Sequence, residues 1–261
     1  MHLRVLGCGS SSGVPMVTGR WWDCDPLNPK NVRTRTSLAI ETDDGEVWVI
    51  DTGPDLRRQL IREALTRVDG VFLTHAHADH VLGMDELRPI FGQNRKKIPL
   101  YGDPDTLVAV TQMFGYLIDT KDNKPKLPIY TPFLEPRLLT PAFEWKDVPV
   151  RTFVQDHGGS QSMGYRFGNW AYSTDVKDLS NDALRTLEGT KLWFVDCIAY
   201  DPKPTHAHLE QTLAWIERIQ PERAILIHMS AFLDYETLKK QLPAHVVPAY
   251  DGFQVDAKPY L

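Results

Sequence analysis

Short apolar runs, each closed by glycine, proline or an acidic residue, recur along this 261-residue chain. Residues 3–6 predict a strand that runs into GCGSSSG, and residues 36–41 and 47–50 predict two strands joined by the turn DDGE, a hairpin signal. After Pro54, an apolar stripe at Leu56, Leu60, Ile61, Ala64 and Leu65 predicts a helix with proline in its first turn. Residues 71–73 predict a strand leading straight into THAHADH. A helix over 85–91, a strand over 98–101 and a helix from 104 to about 116 follow. Residues 119–147, rich in proline, lysine and threonine with no clean period, predict an extended surface excursion.

The second half continues in the same style, with predicted strands at 148–154, 163–167, 170–174, 192–196 and 223–228 and helices near 180–188 and 208–218. No repeat or linker divides the chain. Hairpins mixed with helices imply sheets covered by helices, and 42% hydrophobic residues suffice for a large core, so the expectation is one domain over 1–261.

Charge and cysteine content narrow the partners. A formal net charge of −5 gives no positive field to hold a long polyanion, which favours a small anionic substrate. Three scattered cysteines, Cys8, Cys24 and Cys197, argue against a disulfide framework and for a reducing compartment. The first residues lack a basic segment followed by an apolar stretch, and no run reaches the roughly 20 apolar residues of a membrane span. A soluble cytoplasmic protein is expected.

The nine histidines are unevenly placed: His75, His77 and His80 fall within six positions, with Asp79 among them, just after a short apolar strand. On a loop leaving a strand, alternate side chains His75 and His77 can converge on one ion while Asp79 and His80 turn toward a second. Imidazole and carboxylate suit zinc, iron or manganese. Three further candidates end predicted strands: His157 after VRTFVQD, Asp175 after WAYST and His228 after RAILI. Asp175 is the natural bridge, because a carboxylate can give one oxygen to each ion.

This pattern resembles the metallo-β-lactamase superfamily, whose H-x-H-x-D-H signature is matched by His75, His77, Asp79 and His80, with His157, Asp175 and His228 following in the family's order. The resemblance implies an α+β fold, the four-layer αβ/βα sandwich, with two divalent metal ions, Zn2+ or Mn2+, at the edge where the sheets meet. It makes Asp51, at the end of VWVID, the buried carboxylate behind the ligands. Two such ions can hold a hydroxide between them and neutralise charge developing on a phosphoryl oxygen, so the nucleophile is water and not a side chain.

A phosphodiester also needs a proton for its leaving oxygen, and imidazole, with a reference pKa near 6.5, suits that task. The segment PTHAHLE offers His206 and His208 just before the helical pattern LEQTLAWIERI. The superfamily's phosphodiesterases carry their catalytic acid in a loop of this kind. His206 matches that position best, so His206 and Asp79 are the catalytic assignments, with His208 a weaker candidate for substrate contact. GCGSSSGVP and PTHAHLE most resemble the phosphoribosyl cyclic phosphate phosphodiesterases. Those relatives build an extra zinc site from clustered cysteines and a histidine, where this chain has only Cys24 and Ala231, so no structural zinc is expected. In NPKNVRTR, Arg33 and Arg35 are candidate phosphate clamps beside Lys30, and Ser11 is a candidate cleft residue.

The expected partners are a small phosphate ester and, at most, a second copy of the chain; a nucleic acid polymer is disfavoured. A tRNA 3′-processing endonuclease shares the ligands but commonly carries a long arm between the third histidine and the aspartate, where this chain has the seventeen residues 158–174. A thioester hydrolase or β-lactamase has no comparable need for His206, and a binding module on a dead fold predicts a missing ligand.

Overall fold

The computed structural model describes residues 1–120 and 131–261. Its first half contains strands β1 (His2–Gly7), β2 (Ser37–Glu41), β3 (Val47–Ile50), β4 (Gly70–Phe72), β5 (Ile98–Gly102) and β6 (Leu134–Leu138). Helices α1 (Leu56–Arg62), α2 (Ala78–Val81), α3 (Arg88–Asn94) and α4 (Pro104–Phe114) lie between them. The second half supplies β7 (Ala142–Trp145), β8 (Val148–Asp156), β9 (Gln161–Phe167), β10 (Trp170–Ser173), β11 (Leu192–Asp196) and β12 (Arg223–Ile227). Helices α5 (Asn181–Leu187), α6 (Leu209–Ile219) and α7 (Tyr235–Gln241) accompany β13 (Val246–Pro248) and β14 (Gln254–Asp256).

The strands form two seven-stranded sheets, ordered β14-β1-β2-β3-β4-β5-β6 and β13-β12-β11-β10-β9-β8-β7. Side-chain alternation explains the layering. Leu38, Ile40, Trp48, Ile50 and Phe72 point from the first sheet into a core shared with the second. Their neighbours Ala39, Val47, Val49, Val71 and Leu73 point the other way, into a core closed by Leu56 and Leu60 of α1, Val81 of α2 and Val110 of α4. A strand buried on both faces needs cover on both. The four-layer αβ/βα sandwich expected from the sequence is therefore present.

Between the sheets, Phe72 meets Trp145 and Phe167 edge-on at centroid distances of 5.7 and 5.5 Å. Burial contributes on the order of 1.5–3 kcal/mol for a side chain such as Phe72, so these contacts fix how the two sheets face each other.

Strand direction places the site. β3 and β4 run parallel, β8 and β10 both run antiparallel to β9, and β10, β11 and β12 are parallel. The C-terminal ends within each set therefore lie together. Asp51, His75, His157, Asp175, Asp196 and His228 stand at or just beyond those ends.

Two readings are corrected. α1 ends at Arg62: Ala64 adopts φ +54°, Leu65 N–H donates to Leu60 O, and Ile61 is 65% exposed. This is a Schellman-type stop without its usual glycine, which is why Ala64 and Leu65 read as helix. Within 119–147, residues 134–138 and 142–145 are strands rather than excursion, while 121–130 lie outside the described residues. No element was read over α7, β13 and β14, although Asp234 caps α7 by accepting from Thr237 N–H.

Candidate metal centre

THAHADH follows β4 as a turn that enters α2, and the Asp51 side chain holds that turn. Asp51, fully buried, accepts from Thr74 N–H at 2.8 Å and from the Thr74 hydroxyl at 2.8 Å, and its Oδ2 stands 2.7 Å from His80 Nδ1. Gly53 allows the close approach, since a Cβ there would stand 2.1 Å from Asp79 O.

The seven residues read as ligands converge in two sets that share Asp175. His75, His77, His157 and Asp175 form one, and Asp79, His80, Asp175 and His228 the other, with the donor atoms of each set within 4.8 Å of one another. Asp175 divides its oxygens. Oδ1 lies 3.8 Å from His75 Nε2 and 3.5 Å from His157 Nε2, while Oδ2 lies 3.2 Å from His80 Nε2 and 3.4 Å from His228 Nε2.

The imidazoles are aimed by what stands behind them. His75 Nδ1 lies 3.0 Å from Thr74 Oγ1, His157 Nδ1 donates to Thr205 O at 2.8 Å, and His80 Nδ1 is held by Asp51. With Nδ1 engaged, Nε2 faces the centre, the arrangement that metal-binding histidines favour. Asp51, Asp175 and His228 adopt φ of 64°, 53° and 56°, a conformation that costs energy for residues other than glycine and gathers at functional sites.

This donor set fits divalent metal. The buried Nε2 atoms of His80 and His228 meet no partner at hydrogen-bonding geometry, although Asp175 is near, and unpaired buried polar atoms are costly. Electrostatics agree. Burial opposes ionisation of Asp79 and Asp175, but His228 and His80 outweigh it and hold both carboxyls well below the usual range. Burial likewise disfavours charge on His228, yet the Asp175 and Asp79 carboxylates push it up to about 9. His75 and His157 are pulled below the ordinary imidazole range, chiefly by burial.

His206 sits beside this centre, 9% exposed, with its ring centroid 4.7 Å from that of His228 and 4.8 Å from that of His157. Its Nδ1 lies 3.0 Å from Asp196 Oδ2. With Ser11, His77, Asp79 and Asp175 it lines a cleft of about 410 Å³. His208 occupies the N-cap position of α6 without capping through its side chain, and it is not among the residues that line this cleft.

The arginine clamp is overturned for Arg33. It is 1% exposed, and its guanidinium donates to Ser230 O at 2.9 Å and Leu233 O at 2.6 Å, so it ties two loops and is not free for a phosphate. Arg35 pairs with Asp55 at 3.0 Å and donates to Ser11 O, which fixes the cleft loop. Lys30 lies over Tyr235, 4.4 Å from its ring centre.

Sequence reasoning missed Asp196, although LWFVD repeats the apolar-strand-then-aspartate form of VWVID that had marked Asp51. It also missed Thr74 and Thr205, whose roles depend on where their oxygens fall.

Two helix-covered sheets meeting at an edge lined with histidines and aspartates define a metallo-β-lactamase fold, and the sequence profile described as "Beta-lactamase superfamily domain" matches residues 48–229. The chain belongs to that superfamily. Among solved structures it resembles a crystal structure described as a new diphosphatase from the PhnP family, with TM-score 0.87, 30% identity, and coverage of 98% of this chain and 97% of that one. The chain is 33% identical over 97% of its length to an octanoyltransferase of Porphyromonas gingivalis, of which it spans 51%. It is 31% identical over 47% of its length to a ribonuclease Z of Methanococcus maripaludis, covering 41% of that protein. The chain thus spans about half or less of these two curated relatives. Among the described residues no helix is long and apolar enough to cross a membrane.

Proposed function

We propose that residues 1–261 form one hydrolase unit, a dinuclear-metal phosphodiesterase that cleaves a small phosphodiester such as a ribose-linked cyclic phosphate or a nucleotide. The observation that carries this reading is His206, backed by Asp196, standing beside two ligand sets that share Asp175. His75, His77 and His157 would hold one ion, Asp79, His80 and His228 the other, and Asp175 would offer an oxygen to each.

When bound, two divalent ions such as zinc or manganese lower the pKa of water and neutralise charge developing on a phosphoryl oxygen. The side chains supply the remaining steps. Asp196 holds the Nδ1 proton of His206, which leaves Nε2 to give a proton to the leaving oxygen. Asp79, ionised and lining the cleft, accepts a hydrogen bond from the attacking water. Ser11, exposed at the rim, donates to the substrate phosphate.

The surroundings support a small substrate over tRNA. Among the described residues, the adjoining cleft of about 1150 Å³ over His75 and His77 is lined by Asp103, Asp105, Asp156 and Asp178 and by no lysine or arginine. Residues 158–174 make the β9–β10 hairpin, with no length left for an arm. The PhnP-family likeness supports phosphate chemistry. The octanoyltransferase name describes a protein half of which lies outside the match, and it does not enter the reading.

Turnover by metal-reconstituted protein tests the proposal. The panel is ribose cyclic phosphate, 2′,3′-cyclic nucleotides, bis(p-nitrophenyl) phosphate, a nucleoside diphosphate ester, pre-tRNA, a thioester and a β-lactam. Highest kcat/KM on a small phosphate ester is expected; preference for the thioester or β-lactam overturns the proposal.

A further inference from the structure

The segment before β2 and the loop after β12 leave an unusual surface. Val17 and Leu27 are fully or nearly fully exposed, Trp22 is 52% exposed and Phe232 37%. The Trp22 and Phe232 rings lie 5.2 Å apart at 42°. A cation attends each ring: the Arg20 guanidinium lies 5.5 Å from the Trp22 centroid, and Lys203 Nζ lies 5.7 Å from that of Phe232.

This pair is held in place. Trp22 adopts φ +49°, a conformation that a bulky side chain keeps only when its surroundings impose it. The surroundings do so: Val14, Cys24 and Ala231 form a small core with Trp21, Asp23 N–H donates to Ala231 O, and buried Arg33 ties the same region to Ser230 and Leu233. The stem is packed while its aromatic tip faces solvent.

Position links the pair to the reaction. Phe232 follows His228 by four residues, and Lys203 precedes His206 by three, a stretch that spans at most about 11 Å. The aromatic pair therefore sits against the segment that leads into His206 and the loop that follows His228. The cleft over His75 and His77 is acidic and includes neither ring among its lining residues. The two approaches are chemically unlike.

We propose that Trp22 and Phe232, flanked by Arg20 and Lys203, form a subsite that binds the base and phosphate of a nucleotide on the leaving-group side of the centre. The inference rests on the phosphodiesterase reading and selects, from the substrates that reading allows, the nucleotide. Every nucleobase has a π-face that stacks on exposed aromatic rings, and the two cations complement a phosphate. In the reaction, oxygen from water bonds to phosphorus, the ester P–O bond breaks, and the leaving oxygen takes the proton of His206. The departing nucleotide stays on the aromatic pair until it dissociates.

The test compares AMP with ribose 5-phosphate as inhibitors of bis(p-nitrophenyl) phosphate hydrolysis by the metal-loaded protein. AMP is expected to inhibit about tenfold more tightly, with the ratio falling toward one in both W22A and F232A. K203A is expected to weaken both inhibitors. Equal inhibition by the two in the unmodified protein, or an unchanged ratio in both aromatic variants, overturns the subsite. A dimer that W22A splits while the ratio holds assigns the pair to self-association and overturns it too. If bis(p-nitrophenyl) phosphate is not hydrolysed at all, the phosphodiesterase reading fails separately, and titration of AMP and ribose 5-phosphate by calorimetry decides the subsite by the same ratio.

Discussion

Asp196 Oδ2 lies 3.0 Å from His206 Nδ1, while the other oxygen of the same carboxylate lies 3.7 Å from His228 Nδ1. One buried aspartate thus faces both the proposed acid and a proposed metal ligand. It can fix the His206 ring and its tautomer without itself reaching the cleft.

His206→Ala is expected to lower kcat by about 10²–10⁴ for esters with alkoxide leaving groups. The loss should be much smaller with p-nitrophenolate, which departs without a proton. Asp196→Asn should follow the same pattern more weakly. Steady-state kinetics across leaving groups of graded pKa check this, and equal losses for every leaving group remove the acid role.

Metal affinity should rise with pH. In the metal-free protein burial disfavours charge on His80 and His228, but Asp175 and its neighbours prevail; His80 is pushed well up and His228 to about 9. An ion binds neutral imidazole, so binding expels those protons and the apparent affinity climbs from pH 6 toward 9. The stability sign is opposite in the metal-free state. A raised folded pKa stabilises fully below the unfolded value, about 6.5, and that contribution is lost as pH rises through about 9. Chelator competition and calorimetry in buffers of different ionisation enthalpy read the proton release; a flat affinity between pH 6 and 9 contradicts it.

Arg33→Ala should destabilise the fold by about 2–4 kcal/mol, because it leaves the Ser230 and Leu233 carbonyls without their donor and opens a buried gap. Chemical denaturation measures it. A phosphate clamp would instead show an unaltered midpoint and a raised KM.

The sequence made the sheet interiors legible and their borders illegible. The ten central strands carried either apolar runs such as VWVI and LWFVD, dense because both faces are buried, or, as in β8, a buried–exposed alternation with one face covered. The four strands that gave no usable signal, β6, β7, β13 and β14, are the four sheet edges. Edge strands are short and mixed in polarity, and β6 even contains Pro136, tolerable where one side makes no ladder. At the site, the clustered histidines were visible because ligation demands those residue types. Arg33 was misread as a phosphate clamp because the residue order alone does not show that its guanidinium is buried and bonded to loop carbonyls.

The central claim is that Asp175 gives one oxygen to each of two ions. Anomalous scattering from crystals grown with zinc or manganese tests it most directly. Two peaks are predicted, one among His75, His77 and His157 and one among Asp79, His80 and His228, with Asp175 touching both. A single peak, or none with the metal in excess, would contradict the account.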